Sequence, residues 1–136
     1  MTKILLCGMD NDVTSALEMR LKELGNETAT AATSEVMDLY EDFLPDMVLM
    51  EVTDSEWAVG EINSIIEFDA TACIFALGQD VNTDVMYKSG VRVILNSPAE
   101  GMDAFVDLLY GACNDLEHEN CIGCWKTNRF ANLQKL

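Results

Sequence analysis

The side chains able to do chemistry fall in two settings. Near the C-terminus, Cys113, His118, Cys121 and Cys124 follow the spacing C-x4-H-x2-C-x2-C, and His118 is the one histidine of the chain. Thiolates and imidazole are the ligands of a tetrahedral structural zinc ion, and C-x2-C is a common chelating turn. Two other readings stay open. Cys113 also falls on the apolar stripe of a helix, where it serves as a core thiol. Cys121 and Cys124 also fit free thiols or a redox pair. The second setting is the residues that follow short apolar runs. Cys7 closes the first run and precedes Gly8, Met9 and Asp10; Glu51 closes another; Gly78 and Ser97 follow two more. Carboxylates in such loops are ligands for a hard cation. A thiolate there is a nucleophile.

Those loops need a scaffold, and composition bounds it. The chain has 136 residues, 49% hydrophobic and 24% charged. That is enough for one core and too little for two. No apolar run approaches the roughly 20 residues that span a bilayer. The N-terminus shows no signal-peptide pattern, so the expected compartment is the cytoplasm. The formal net charge is −16, unevenly spread. All 24 acids lie between Asp10 and Glu119, which leaves residues 1–120 at −19 and residues 121–136 at +3. An acidic body disfavours nucleic acid, whose binding releases counterions to Lys and Arg. No Gly-x-Gly-x-x-Gly or phosphate-loop pattern follows any run.

The apolar spacing predicts strict alternation of strand and helix. Strands are expected at Lys3–Cys7, Glu27–Ala31, Asp46–Val52, Ala72–Leu77 and Val91–Leu95. The first helix should bury Val13, Ala16, Leu17, Leu21 and Leu24 and stop at Gly25. The second should be capped by Ser34, bury Met37, Tyr40 and Leu44, and end at Pro45. A third spans about Ser55–Phe68, with Val59, Ile62, Ile65 and Ile66 inward. A short fourth covers Asn82–Lys88. Ser97-Pro98-Ala99-Glu100 starts a fifth, a capping box with proline at its first position. Its stripe is Met102, Phe105, Val106, Leu109, Ala112, Cys113 and Leu116. Alternation with strands apolar on both faces implies a five-stranded parallel sheet covered by helices on both sides. Ligand-facing groups then sit at the carboxyl ends of the strands.

This order, together with Lys3-Ile4-Leu5-Leu6, Pro45 through Met50, Ser89-Gly90-Val91 and Ser97-Pro98, resembles the receiver domain of bacterial two-component response regulators. The resemblance covers residues 1–119; residues 120–136 form a Cys-containing basic tail. It implies a flavodoxin-like (βα)5 fold. It also implies phosphoryl transfer to an aspartate ending the third strand, assisted by Mg²⁺, with output through helix 4, strand 5 and helix 5. The residues at the family's working positions differ. Gly8 and Met9, with Asp10 next, stand where two acids hold Mg²⁺. Glu51 stands at the phosphoacceptor, Gly78 at the Ser/Thr, Ser97 at the Lys and Ile94 at the switch aromatic.

These departures lead to the expectation of a degenerate receiver that is not phosphorylated and works by protein contact, with a partner or a second copy, through that output face. It is expected not to be an enzyme and to need no cofactor beyond zinc at the tail. Glu51 reads more simply as a polar strand end than as a phosphoaspartate mimic, because the groups that would sense its charge are absent. A second reading starts from Cys7. Lys3–Gly8 also resembles the phosphocysteine strand of sugar phosphotransferase B subunits, although Asp10, Asn11 and Asp12 would repel phosphate.

Overall fold

A computed structural model describes residues 3–8, 11–78, 82–95 and 102–118, with the backbone alone for 11, 13, 102 and 113–118. Ten elements alternate: β1 (Lys3–Cys7), α1 (Asn11–Glu23), β2 (Glu27–Ala31), α2 (Val36–Phe43), β3 (Met47–Glu51), α3 (Ser55–Phe68), β4 (Ile74–Leu77), α4 (Thr83–Ser89), β5 (Val93–Leu95) and α5 (Met102–His118). The strands form one sheet in the order β2-β1-β3-β4-β5, every pair parallel. The expected fold class, a five-stranded parallel sheet with helices on both faces, is what the chain adopts.

The period-2 geometry of a strand divides the core. Ile4, Leu6, Met47, Leu49, Phe75 and Leu77 point to one side and meet Leu17 and Leu21 of α1 and Phe105, Val106 and Leu109 of α5. Leu5, Cys7, Val48, Met50, Ile74 and Ala76 point to the other and meet Val36, Tyr40, Ile62, Ile65 and Met86 from α2, α3 and α4. β1, β3 and β4 are sealed on both sides, which is why they read as unbroken apolar runs. Burying each large aliphatic side chain contributes about 1.5–3 kcal/mol.

Several local expectations are corrected. Ala16 is exposed, because α1 turns Leu17 and Leu21 inward and puts Ala16 on the stripe of Arg20, which pairs with Asp103 at 3.1 Å. Ser34 does not cap α2. The preceding turn, closed by Glu35 N–H to the Ala32 carbonyl at 3.0 Å, runs into the helix, and Glu35 is the N-cap residue without a side-chain bond. Leu44 leaves the apolar face: it is the C-cap, left-handed at φ 50°, and 59% exposed. The β3, β4 and β5 bounds are narrower than expected, since pairing stops where the ladder does. Asn82 caps α4 by accepting from the Val85 amide at 3.2 Å, so that helix starts one residue later. Gly25 ends α1 as expected, at φ 92°. The start of the fifth helix at Ser97-Pro98-Ala99-Glu100, and the tail after His118, lie outside the described residues.

Candidate functional site

The strand order reverses between β1 and β3, so the carboxyl ends of these two neighbours define the place where such sheets put their chemistry. β1 ends at Cys7, in register with Met50, and Glu51 stands one residue further along β3, level with Leu77 of β4. Three backbone bonds carry the ladder past the last paired residues. The Gly8 N–H donates to the Ala31 carbonyl at 3.2 Å, Val52 N–H to Leu77 at 2.8 Å, and Gly78 N–H to Leu95 at 3.0 Å. Gly8, Glu51 and Gly78 are thus brought to one rim. Glu51 is half-buried and Gly78 is buried. Ile94 lies in β5, partly buried against the α2–α3–α4 side of the sheet. Met9, Asp10 and Ser97 lie outside the described residues.

Gly8 explains itself by geometry. Its φ is 69°, in the left-handed region that side chains rarely adopt. A Cβ there would stand 3.1 Å from the Trp57 ring and 3.4 Å from the Glu51 carbonyl oxygen. The space an acid would need at the end of β1 is filled by an indole. Trp57 reaches it from the first turn of α3. Asp54 fixes that turn as N-cap, accepting from the Glu56 amide at 3.0 Å and the Trp57 amide at 3.4 Å. The indole N–H donates to the Thr33 carbonyl at 3.1 Å, which ties the ring to the segment after β2. Helical spacing does not single out Trp57; the signal the sequence carries is an aromatic three residues after a capping Asp.

The carboxylate of Asp54 acts as a helix cap. Mg²⁺ takes near-octahedral oxygen ligands, usually with one or two carboxylates. Among the described residues Glu51 ends β3 at this rim, beside a glycine that an acid cannot replace without displacing Trp57. Glu51 also reaches about 1.5 Å further than an aspartate would. Gly78 has no hydroxyl.

Cys7 does not open onto the rim. Its side chain is fully buried and points into the core beneath α2 and α3. Burial pushes the thiol far up, and the nearby charge of Glu61 pushes it further. The Glu61 carboxyl is itself raised by burial. A thiol kept protonated in an apolar core is not a nucleophile, so the structure does not favour the phosphocysteine reading. Among the described residues no three His, Cys, Asp or Glu side chains gather as a metal site. The side chains of Cys113 and His118, and all of Cys121 and Cys124, lie outside that description. No helix among the described residues is long and apolar enough to cross a membrane.

Neither a protein family nor a curated protein matches the chain in sequence. Solved structures match it in shape. A CheY-like receiver domain protein from Methanospirillum hungatei JF-1 has a TM-score of 0.69 at 11% identity, covering 87% of this chain and 98% of its own. A receiver domain protein from Clostridium thermocellum has a TM-score of 0.68 at 18% identity, covering 85% and 96%. The response regulator TrrA from Thermotoga maritima, solved with Mg²⁺ and BeF, has a TM-score of 0.68 at 16% identity, covering 82% and 99%. The fold of this chain is that of the response-regulator receiver domain.

Proposed function

We propose that this chain is a two-component signalling module that keeps the receiver scaffold, has lost phosphoryl acceptance, and acts by binding protein. The observation that carries the reading is Gly8. Its left-handed backbone and the Trp57 ring 3.1 Å from its Cβ position replace an acidic, open corner with an apolar, filled one. Phosphoryl transfer depends on in-line positioning and on countercharge. At this rim Glu51 stands where the resemblance has its acceptor aspartate, and Gly78 has no hydroxyl to offer.

With the switch chemistry gone, the surface remains. α4 exposes Val85 and Tyr87, α5 exposes Leu108, and β5 lies half-buried at the sheet edge. Apolar side chains on an otherwise acidic surface suit a protein contact, with a partner or a second copy of the chain. The body charge of −19 directs that contact away from nucleic acid. Zinc at Cys113, His118, Cys121 and Cys124 is a separate proposal about the tail.

The test is exposure of the full chain to acetyl phosphate with Mg²⁺, followed by intact-mass analysis. The expected result is an unchanged mass at every time point. A stoichiometric phosphoryl adduct on Glu51 would refute the proposal.

A further inference from the structure

β2 is an outer strand of the sheet, paired with β1 alone. In a parallel ladder the N–H and C=O of one residue point to the same side, and successive residues alternate. The Ala31 carbonyl accepts from Gly8, which sets the phase. Glu27, Ala29 and Ala31 therefore bond to β1, while the N–H and C=O of Thr28 and Thr30 point off the sheet. Among the described residues no backbone group pairs with them. Sheet edges are commonly blunted by proline, lysine, a bulge or brevity. β2 runs Glu-Thr-Ala-Thr-Ala in unbroken register over five residues and carries none of these. Its threonines also favour extended chain. The edge is open to a sixth strand.

The two faces of this edge differ in charge. Thr28 points to the α1 face, where its hydroxyl donates to Glu18 Oε2 at 3.1 Å. Glu18 Oε1 lies 3.8 Å from the Lys22 ammonium, so that face is balanced. Glu27 alternates in phase with Ala29 and Ala31 and stands on the other face, beneath α2. α2 lies over β1 and β2, and its Tyr40 turns toward α3, where the ring meets Phe68. At about 3.6 residues per turn, Glu35, Leu39 and Asp42 then line the side of α2 turned from α3, above the edge. Leu39 is half-buried. Glu27, Glu35 and Asp42 are exposed, and among the described residues none is in an ion pair. Lys3 is level with Glu27, but its ammonium is held at the Phe43 carbonyl, 3.4 Å away, and over the Phe43 ring, 5.4 Å from its centroid.

We infer that the β2 edge takes up an extended segment of a partner protein, one with Lys or Arg at the alternate positions that face α2. The main chain of Thr28 and Thr30 supplies the hydrogen bonds of the added strand, and the carboxylates of Glu27, Glu35 and Asp42 select its charge. Leu39 offers apolar ground for the stems of those basic side chains. A second copy of this chain fits less well. Two β2 strands paired antiparallel about a twofold axis would bring the same three carboxylates of both copies to one face, and like charges there are destabilising. The β2 edge lies across the sheet from β5. The inference therefore stands apart from the face built by α4, β5 and α5, and from the loss of phosphoryl acceptance.

The test titrates the isotope-labelled full chain with a synthetic peptide of alternating lysine and valine and follows the amides by NMR. The expected result is a saturable shift of Thr28 and Thr30, with hydrogen exchange at both amides slowed by the peptide. The same peptide N-methylated throughout its backbone should cause neither, because it cannot extend the ladder. The variant Glu27→Gln/Glu35→Gln/Asp42→Asn, changed only at exposed side chains, should bind the peptide about fivefold more weakly, the size expected of three exposed ion pairs. Equal binding of the N-methylated peptide, equal binding of a peptide of alternating glutamate and valine, or shifts centred on α4 and β5 would each overturn the inference. Slow exchange of Thr28 and Thr30 before any peptide is added would show the edge already covered and would overturn it too. A phosphoryl adduct on Glu51 would leave all of these outcomes unchanged.

Discussion

Gly8 and Trp57 form a coupled pair. A side chain at residue 8 meets two obstacles, the left-handed backbone and the indole 3.1 Å away. Gly8→Ala should therefore destabilise the protein by about 1–3 kcal/mol, read by urea denaturation. Trp57→Ala removes one obstacle and leaves the other. The double variant should fall short of the sum of the singles by about 1 kcal/mol, well outside the few tenths seen for independent sites. Strict additivity would show that the indole does not fill the corner. The sequence displayed half of this pair. Gly8 stands out as a missing acid, since the resemblance assigns that position. Trp57 does not, because helical spacing records which side of α3 is inward and says nothing of a ring reaching forward over β1. Cys7 shows the reverse case: the run Ile4–Cys7 places it in a buried strand, and the burial of its thiol follows from that placement.

Among the elements, strands and helices were legible where packing decides them, and their ends were not. β3 is buried along most of its length, and its apolar run needed no further information. α2 is instructive. Its period placed Leu44 inward, yet the helix stops at Phe43 and Leu44 swings to a positive φ, with its N–H bonded to the Tyr40 carbonyl at 2.9 Å. Periodicity presumes a continuing helix, and a left-handed cap breaks the phase. The same holds for Ser34, a good capping residue one position too early because the preceding turn runs into the helix. A non-glycine residue in the left-handed region costs about 1–2 kcal/mol. Leu44→Gly should accordingly stabilise the protein by about 0.5–1 kcal/mol, since the exposed side chain contributes little packing to offset that strain. The midpoint of chemical unfolding reads it. A loss of stability would mean that the exposed leucine packs more than its exposure indicates.

The whole molecule separates scaffold from chemistry. The β2-β1-β3-β4-β5 order and the two apolar layers are those of a receiver, and they rest on residues spread through all ten elements. The phosphoryl centre that the resemblance implies rests on a handful of loop-end positions, here including Gly8, Glu51 and Gly78. Fold and activity are separable, because function lives in such sites and not in the scaffold. The charge belongs to the same scale. With −19 on the body, a second anion beside Glu51 needs local cations to offset it. Titration of the full chain with beryllofluoride and Mg²⁺, followed by fluorine NMR, measures this directly. Only the free fluoroberyllate resonances are expected at millimolar concentrations, with no shift of the Gly8, Glu51 or Gly78 amides. A saturable bound resonance accompanied by shifts at those three residues would contradict it.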